Sequence, residues 1–234
     1  MGNCDSSNNC PTNTNKNTNT NKNINNHNIV SFQKPFLNIS MDEAKQFLIN
    51  ACNISPFILD DQGNAVTGWP ISQKRGPSGY EKDYIPPIGW TGIGLNVVNI
   101  YDKMDNAWIG INNTPGEWYI GYHGVNSIEA IQNIYNEGFR KSEKQQYKDS
   151  PNINPLTNSL YPLCGEGVYF TPDINQAKKY ADPPIPYNNY NFRIVFMCRI
   201  NPYAVRIADI GNNNEYWIVE GDKLGDLNGK KEVM

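Results

Sequence analysis

The residues with the most chemical potential fall in three short runs. Tyr122-His123-Gly124 closes one β-prone stretch, Gly165-Glu166-Gly167-Val168-Tyr169-Phe170 leads into a helical stretch, and Asn214-Glu215-Tyr216 opens a later strand. Together they supply an imidazole, phenol rings and a carboxylate. Taken singly, each has a plain structural meaning. A lone His at a strand end commonly serves as a structural hydrogen-bonder, a Gly-x-Tyr-Phe run as a turn with core aromatics, and a Glu at a strand start as a solvated charge. Their weight lies in joint occurrence, in this order, on elements that read as strand, strand-into-helix and strand.

In that order, His123-Gly124, Gly167-Val168-Tyr169-Phe170 with Tyr180, and Asn214-Glu215-Tyr216 resemble the catalytic domain of the poly(ADP-ribose) polymerase-like, or diphtheria-toxin-like, ADP-ribosyltransferases of the H-Y-E type. The eleven-residue interval from Tyr169 to Tyr180 matches the family spacing. The resemblance covers roughly residues 115–220, about half the chain. It implies an α+β fold with a split β-sheet core and flanking helices, and NAD as substrate. His123, Tyr169 and Glu215 are then the catalytic residues, and His123, Gly124, Tyr169 and Tyr180 hold NAD.

What the family does explains why these residue types are needed. Breaking the nicotinamide–ribose bond builds positive charge on the sugar, so the site must grip the ribose and the leaving ring and favour that charge. By resemblance, His123 bonds the adenosine ribose and the Gly124 main chain takes the carboxamide. Gly suits that place because a ligand can come close to it. Tyr169 and Tyr180 sandwich the ring. Glu215 holds the nicotinamide ribose, stabilises the developing cation and orients the acceptor. The chain departs from the family at Val125, where Ser or Thr commonly follows His-Gly, and at Ala177, where a Ser commonly helps hold the carboxamide. Losing one such hydrogen bond weakens affinity roughly three- to tenfold.

Other elements must position these residues. Residues 41–52 read as a helix, capped by Ser40 with Glu43 completing a capping box, and with Ala44, Phe47, Leu48 and Ala51 on one side. Residues 60–82 read as a long loop. Pro86 and Pro87 exclude a helix at Tyr84–Trp90. Strands are expected at Leu95–Ile100, Trp108–Gly110 and Glu117–His123, with Trp90 and Trp108 in the core. Ile128, Ile131 and Ile134 mark a helix ending at Gly138, and Asp173–Ala181 marks another. Phe192–Ile200 reads as an apolar central strand. The polar insertion Lys141–Tyr161 is a candidate loop over the NAD site.

Composition narrows the classes. With 234 residues, 38% of them hydrophobic, the chain suffices for one well-buried domain. A net charge of −3 and a pI near 5.4 argue against a nucleic-acid partner. Cys4, Cys10, Cys52, Cys164 and Cys198 include no CxxC pair, and only His123 lies outside the tail. A reducing compartment and no metal are therefore expected. No apolar run is long enough to cross a membrane, and the polar start does not read as a secretory signal.

The division expected is a tail at 1–28, an extension of helix, loop and strand at 29–105, the catalytic domain at 106–220 and a polar C-terminal tail at 221–234. The first 28 residues hold twelve Asn and have almost nothing to bury, so disorder is expected there. Met1-Gly2-Asn3-Cys4-Asp5-Ser6 fits the N-myristoylation pattern at Gly2. One acyl chain anchors only marginally, and Lys16 and Lys22 make no polybasic patch. Cys4 is therefore the candidate for palmitate, with Cys10 a further one. That would place a cytoplasmic protein at the inner face of a membrane.

The expected activity is NAD-dependent transfer of ADP-ribose to a protein acceptor. Mono-transfer is favoured, since no regulatory helical domain or DNA-binding finger is recognisable. Two alternatives stand beside it: a module that binds NAD, ADP-ribose or a protein without turnover, and a membrane-tethered scaffold.

Overall fold

The structure, a computed structural model, describes residues 39–65, 73–97, 106–141, 144–153, 156, 160–161, 163–209 and 215–220. They belong to one compact unit, Asn38–Met234, and residues 1–37 lie outside the described residues. The expected tail, with Gly2, Cys4 and Cys10, therefore also lies outside them, as does Asn214.

The class is α+β. In chain order the helices are α1 (Met41–Gln46, continued by a π-helical turn at Phe47–Ala51), α2 (Ile128–Glu137) and α3 (Ile174–Tyr180). Strands β1 to β5 are Leu59–Ala65, Gln73–Arg75, Lys82–Tyr84, Gly92–Leu95 and Tyr119–Val125. Strands β6 to β10 are Asn152–Ile153, Leu160–Tyr161, Val168–Phe170, Ile185–Tyr187 and Tyr190–Phe192. Strands β11 to β13 are Ile194–Ile200, Val205–Asp209 and Glu215–Val219.

Local chemistry sets the helix ends. Ser40 Oγ accepts from the Glu43 N–H at 3.2 Å while Glu43 Oε2 accepts from the Ser40 N–H at 2.9 Å, the expected capping box. Ser127 caps α2 by accepting from the Ala130 N–H and Asp173 caps α3 by accepting from the Asn175 N–H, and α2 stops at Gly138, whose φ of 80° favours glycine. Beyond α1, the fully buried Phe47 stacks on Phe192 at 4.2 Å. It joins Ile131 and Ile134 of α2 in one core cluster.

Two antiparallel sheets carry the centre of the molecule. One is β11 with β5, in register from Ile194↔Val125 to Ile200↔Tyr119. The other has five strands in the order β7-β6-β12-β13-β8. Among the described residues they are joined at a single bridge, Tyr122↔Thr171, where Tyr122 N–H donates to the Thr171 carbonyl at 2.8 Å and Thr171 N–H returns a bond of 3.0 Å.

Four expectations need correction. The 60–82 segment is not all loop: β1 pairs with β4, and β2 pairs with β3. Strand β4 is Gly92–Leu95 rather than Leu95–Ile100, because its partner β1 sets its extent; residues 98–100 lie outside the described ones. Trp108 lies in a 3₁₀ turn, Ala107–Ile109, whose Ile109 carbonyl is held by the Arg199 guanidinium at 3.0 Å. Strand β11 is apolar but not central: among the described residues it pairs with β5 alone. Its apolar side chains serve clusters on both faces, Ile194 and Phe196 on one and Val195 on the other, so burial does not require a strand at both edges. The strands flanked on both sides are β6, β12 and β13.

No helix among the described residues is long and apolar enough to cross a membrane.

Candidate functional site

The seam between β5 and β8 holds His123, Gly124 and Tyr169, while Glu215 opens the neighbouring β13 and Tyr180 ends α3. His123 follows the bridging Tyr122 on β5, and Tyr169 precedes the bridging Thr171 by two on β8. In a continuous antiparallel ladder the next rung would join Gly124 to Tyr169, because amide groups two residues apart face the same edge. That rung is missing among the described residues. His123 Nδ1 contacts the Tyr169 carbonyl oxygen instead, at 2.8 Å. A carbonyl only accepts, so Nδ1 carries the proton in this contact and a neutral ring leaves Nε2 as an acceptor. Burial lowers the His123 pKa below its ordinary 6.5, and the bond to Tyr169 opposes that shift in part. The ring is wedged against Phe139 at 5.1 Å and Phe170 at 5.6 Å.

The side chains do not all project to one face. Tyr169 is paired with Ile218, so it shares a face with Ile218 and Tyr216. Glu215, Trp217 and Val219 take the opposite face, and Phe170 beside His123 belongs with them. The imidazole and the carboxylate therefore start from one side of the sheet and the tyrosines from the other.

On the tyrosine face, Tyr180 Oη lies 2.9 Å from Tyr216 Oη. The Tyr169 and Tyr180 rings are each edge-on to the Tyr216 ring, at 6.4 and 6.3 Å. Tyr147, from the Lys141–Tyr161 insertion, stacks on Tyr216 at 4.5 Å, and its N–H donates to Tyr169 Oη at 3.1 Å. Burial raises the pKa of Tyr169 and of Tyr216, so both remain neutral phenols. The insertion thus reaches the predicted residues, and part of it forms β6 and β7 at the far edge of the five-stranded sheet. Tyr216 closes the Asn214-Glu215-Tyr216 run and Tyr147 lies in the insertion, but sequence reasoning gave neither a role of its own.

Gly124 has a second reason to be glycine. A Cβ there would lie 2.0 Å from the Ala177 carbonyl of α3. Ala177 itself is 1% exposed and packs with Tyr122 and Ile174, so this position faces core rather than solvent.

Glu215 is held at both oxygens. Trp217 Nε1–H donates to Oε2 at 2.9 Å, and Lys82 Nζ lies 3.4 Å from Oε1. Lys82 comes from the segment read as a loop and was not singled out. Its link to Glu215 spans 133 positions, a separation that no local pattern reports. An open surface groove between α1 and the β9–β10 hairpin, lined by Asp42, Glu43, Tyr187 and Tyr190, involves none of these residues.

Among the described residues no group of three or more His, Cys, Asp or Glu is placed to hold a metal ion. Comparison of the chain with protein-family models, with curated proteins and with solved structures finds no match, so the site rests on its own geometry.

Proposed function

We propose that this chain is an NAD-dependent ADP-ribosyltransferase, of mono-transfer type, acting on a protein acceptor. The observation that carries this reading is the interrupted seam. His123 takes the Tyr169 carbonyl across it at 2.8 Å, which leaves the Gly124 main chain without its rung beside a cluster of tyrosine rings. Main-chain groups at a break in a ladder suit a carboxamide, and aromatic faces suit the attached ring. A neutral His123 offers Nε2 to a sugar hydroxyl. Glu215, at the start of the adjoining strand, supplies negative charge for an oxocarbenium-like centre. In the reaction the C1–nitrogen bond of the nicotinamide ribose breaks and its electron pair leaves with nicotinamide. A lone pair of the acceptor then fills C1, and the acceptor's proton passes to solvent or to Glu215.

The split core of the ADP-ribosyltransferase type, the acylation of Gly2 and Cys4, and residence at the cytoplasmic face of a membrane belong to the same proposal. Labelled NAD with the purified chain tests it: release of nicotinamide, lost in Glu215→Ala, is expected. Release that persists unchanged in that variant removes Glu215 from its role. A metabolic myristate analogue, with Gly2→Ala as the control, tests the anchor.

A second reading, binding without turnover, has two observations in its favour. Ala177 is buried where a serine hydroxyl would have served the carboxamide, and Tyr147 already stacks on Tyr216. NAD or ADP-ribose binding by calorimetry, with no nicotinamide released, would favour it.

A further inference from the structure

We infer that Lys82 is the residue that positions the Glu215 carboxylate for turnover. The inference rests on the ADP-ribosyltransferase reading. By strand alternation Glu215 starts on the Trp217 face, away from the tyrosines, and the Trp217 indole holds one of its oxygens there. Lys82 holds the other at 3.4 Å, with the two side chains 32% and 30% exposed.

The placement of Lys82 is built in. Tyr119 Oη donates to the Tyr80 carbonyl at 2.9 Å, and Tyr122 Oη donates to the Ile85 carbonyl at 3.1 Å. These two tyrosines lie three apart on β5, so they point to opposite faces. The segment between Tyr80 and Ile85 therefore crosses from one face of β5 to the other, and Lys82 lies in the crossing. Two further contacts tether the approach to it. Gly76 N–H donates to buried Glu117 at 3.2 Å, and a Cβ at Gly76 would lie 2.4 Å from the Tyr119 ring. Within β3, Lys82 shares a face with Tyr84, which is 5% exposed and packs with Ile120 and Tyr122. Burial of Tyr84 thus aims the ammonium.

An ion pair this open to water adds little to stability. Its consequence is directional: between an indole and an ammonium the carboxylate has one preferred orientation. Misplacing a catalytic group by about an ångström costs on the order of a hundredfold in rate.

The test compares wild type with Lys82→Met and Lys82→Arg in nicotinamide release and NAD binding, with thermal unfolding as a folding check. The expected result for Lys82→Met is a kcat about ten- to a hundredfold lower, with KM and NAD affinity within about threefold of wild type. Lys82→Arg should recover most of the rate. An active wild type matched by Lys82→Met overturns the positioning role and leaves the proposed activity standing. A loss confined to KM also overturns it, since Lys82 would then bind substrate directly. A wild type that releases no nicotinamide, like Glu215→Ala, removes the activity itself and the positioning role with it.

Discussion

Two carboxylates near the ends of β5 and β13 make an instructive pair. Glu117 is fully buried. It accepts main-chain N–H groups from Gly76 at 3.2 Å and Asn113 at 2.6 Å, with Arg199 at 3.8 Å. Glu215 is partly exposed and held by two side chains, Lys82 and Trp217. Both have their oxygens engaged. The difference is what a ligand could reach: Glu117 is 0% exposed inside a core, whereas the Glu215 side chain keeps 30% of its surface open to an incoming hydroxyl. Burial turns the first carboxylate into a knot between distant loops and leaves the second available for chemistry. Arg199 belongs to the knot: burial brings its pKa down to about 10, against the opposing pull of Glu117, so it stays charged at neutral pH.

The largest effect expected in this comparison is from Glu117→Ala. It strands the Arg199 charge and two buried N–H groups, and should cost about 3–5 kcal/mol in a urea titration. Glu215→Ala should change stability by only about 0–1 kcal/mol while removing nicotinamide release. Equal destabilisation by the two variants would erase the distinction between knot and site.

Gly124→Ala comes next. Its Cβ would meet the Ala177 carbonyl at 2.0 Å, and main chain on both sides cannot step aside cheaply. A loss of about 3 kcal/mol is expected, measurable by thermal unfolding. A neutral substitution there would mean that α3 is free to move off the seam.

The pH dependence separates His123 from the carboxylates. Because burial holds its folded pKa below 6.5, the unfolded chain takes up a proton before the folded one does. The His123 contribution is complete above the unfolded value and is lost as pH falls through the folded value. Midpoints of unfolding should fall on acidification, and less steeply in His123→Gln than in wild type. Parallel pH curves for the two proteins would contradict a buried neutral imidazole.

The smallest effect is expected from Tyr180→Phe, which removes one hydroxyl contact to Tyr216. Tyr180 is 47% exposed, so the cost should lie near the low end of about 0.5–1.5 kcal/mol. A larger loss in NAD affinity than in stability would place Tyr180 against the ligand.

Features readable in sequence share one property: each involves residues within a few positions of one another. The Ser40–Glu43 capping box, the stops and starts at Gly138, Asp173 and Glu215, and the strand carrying His123 all follow from local hydrogen-bonding groups or apolar alternation. The errors lie where a distant partner decides. Leu59–Ala65 is polar and turn-prone, yet it is a strand because Gly92–Leu95 pairs with it. Trp108 is in a turn because Arg199 claims the Ile109 carbonyl. Strand β11 is apolar without being central because two clusters use its two faces.

The same division holds at the site. Sequence alone determined which residue types stand at 123, 124, 169, 180 and 215, and on which kinds of element, since caps and strand periodicity act over one or two turns of chain. Only the tertiary structure decided that the ladder breaks at Tyr122–Thr171 and that Tyr147 covers Tyr216. It alone put His123 and Glu215 on one face of the sheet and the tyrosines on the other. It alone brought Lys82 to Glu215 across 133 positions. The physical reason is that strand register and face are set by pairing and by burial of remote apolar side chains, and neither is encoded in the residues that the pairing brings together.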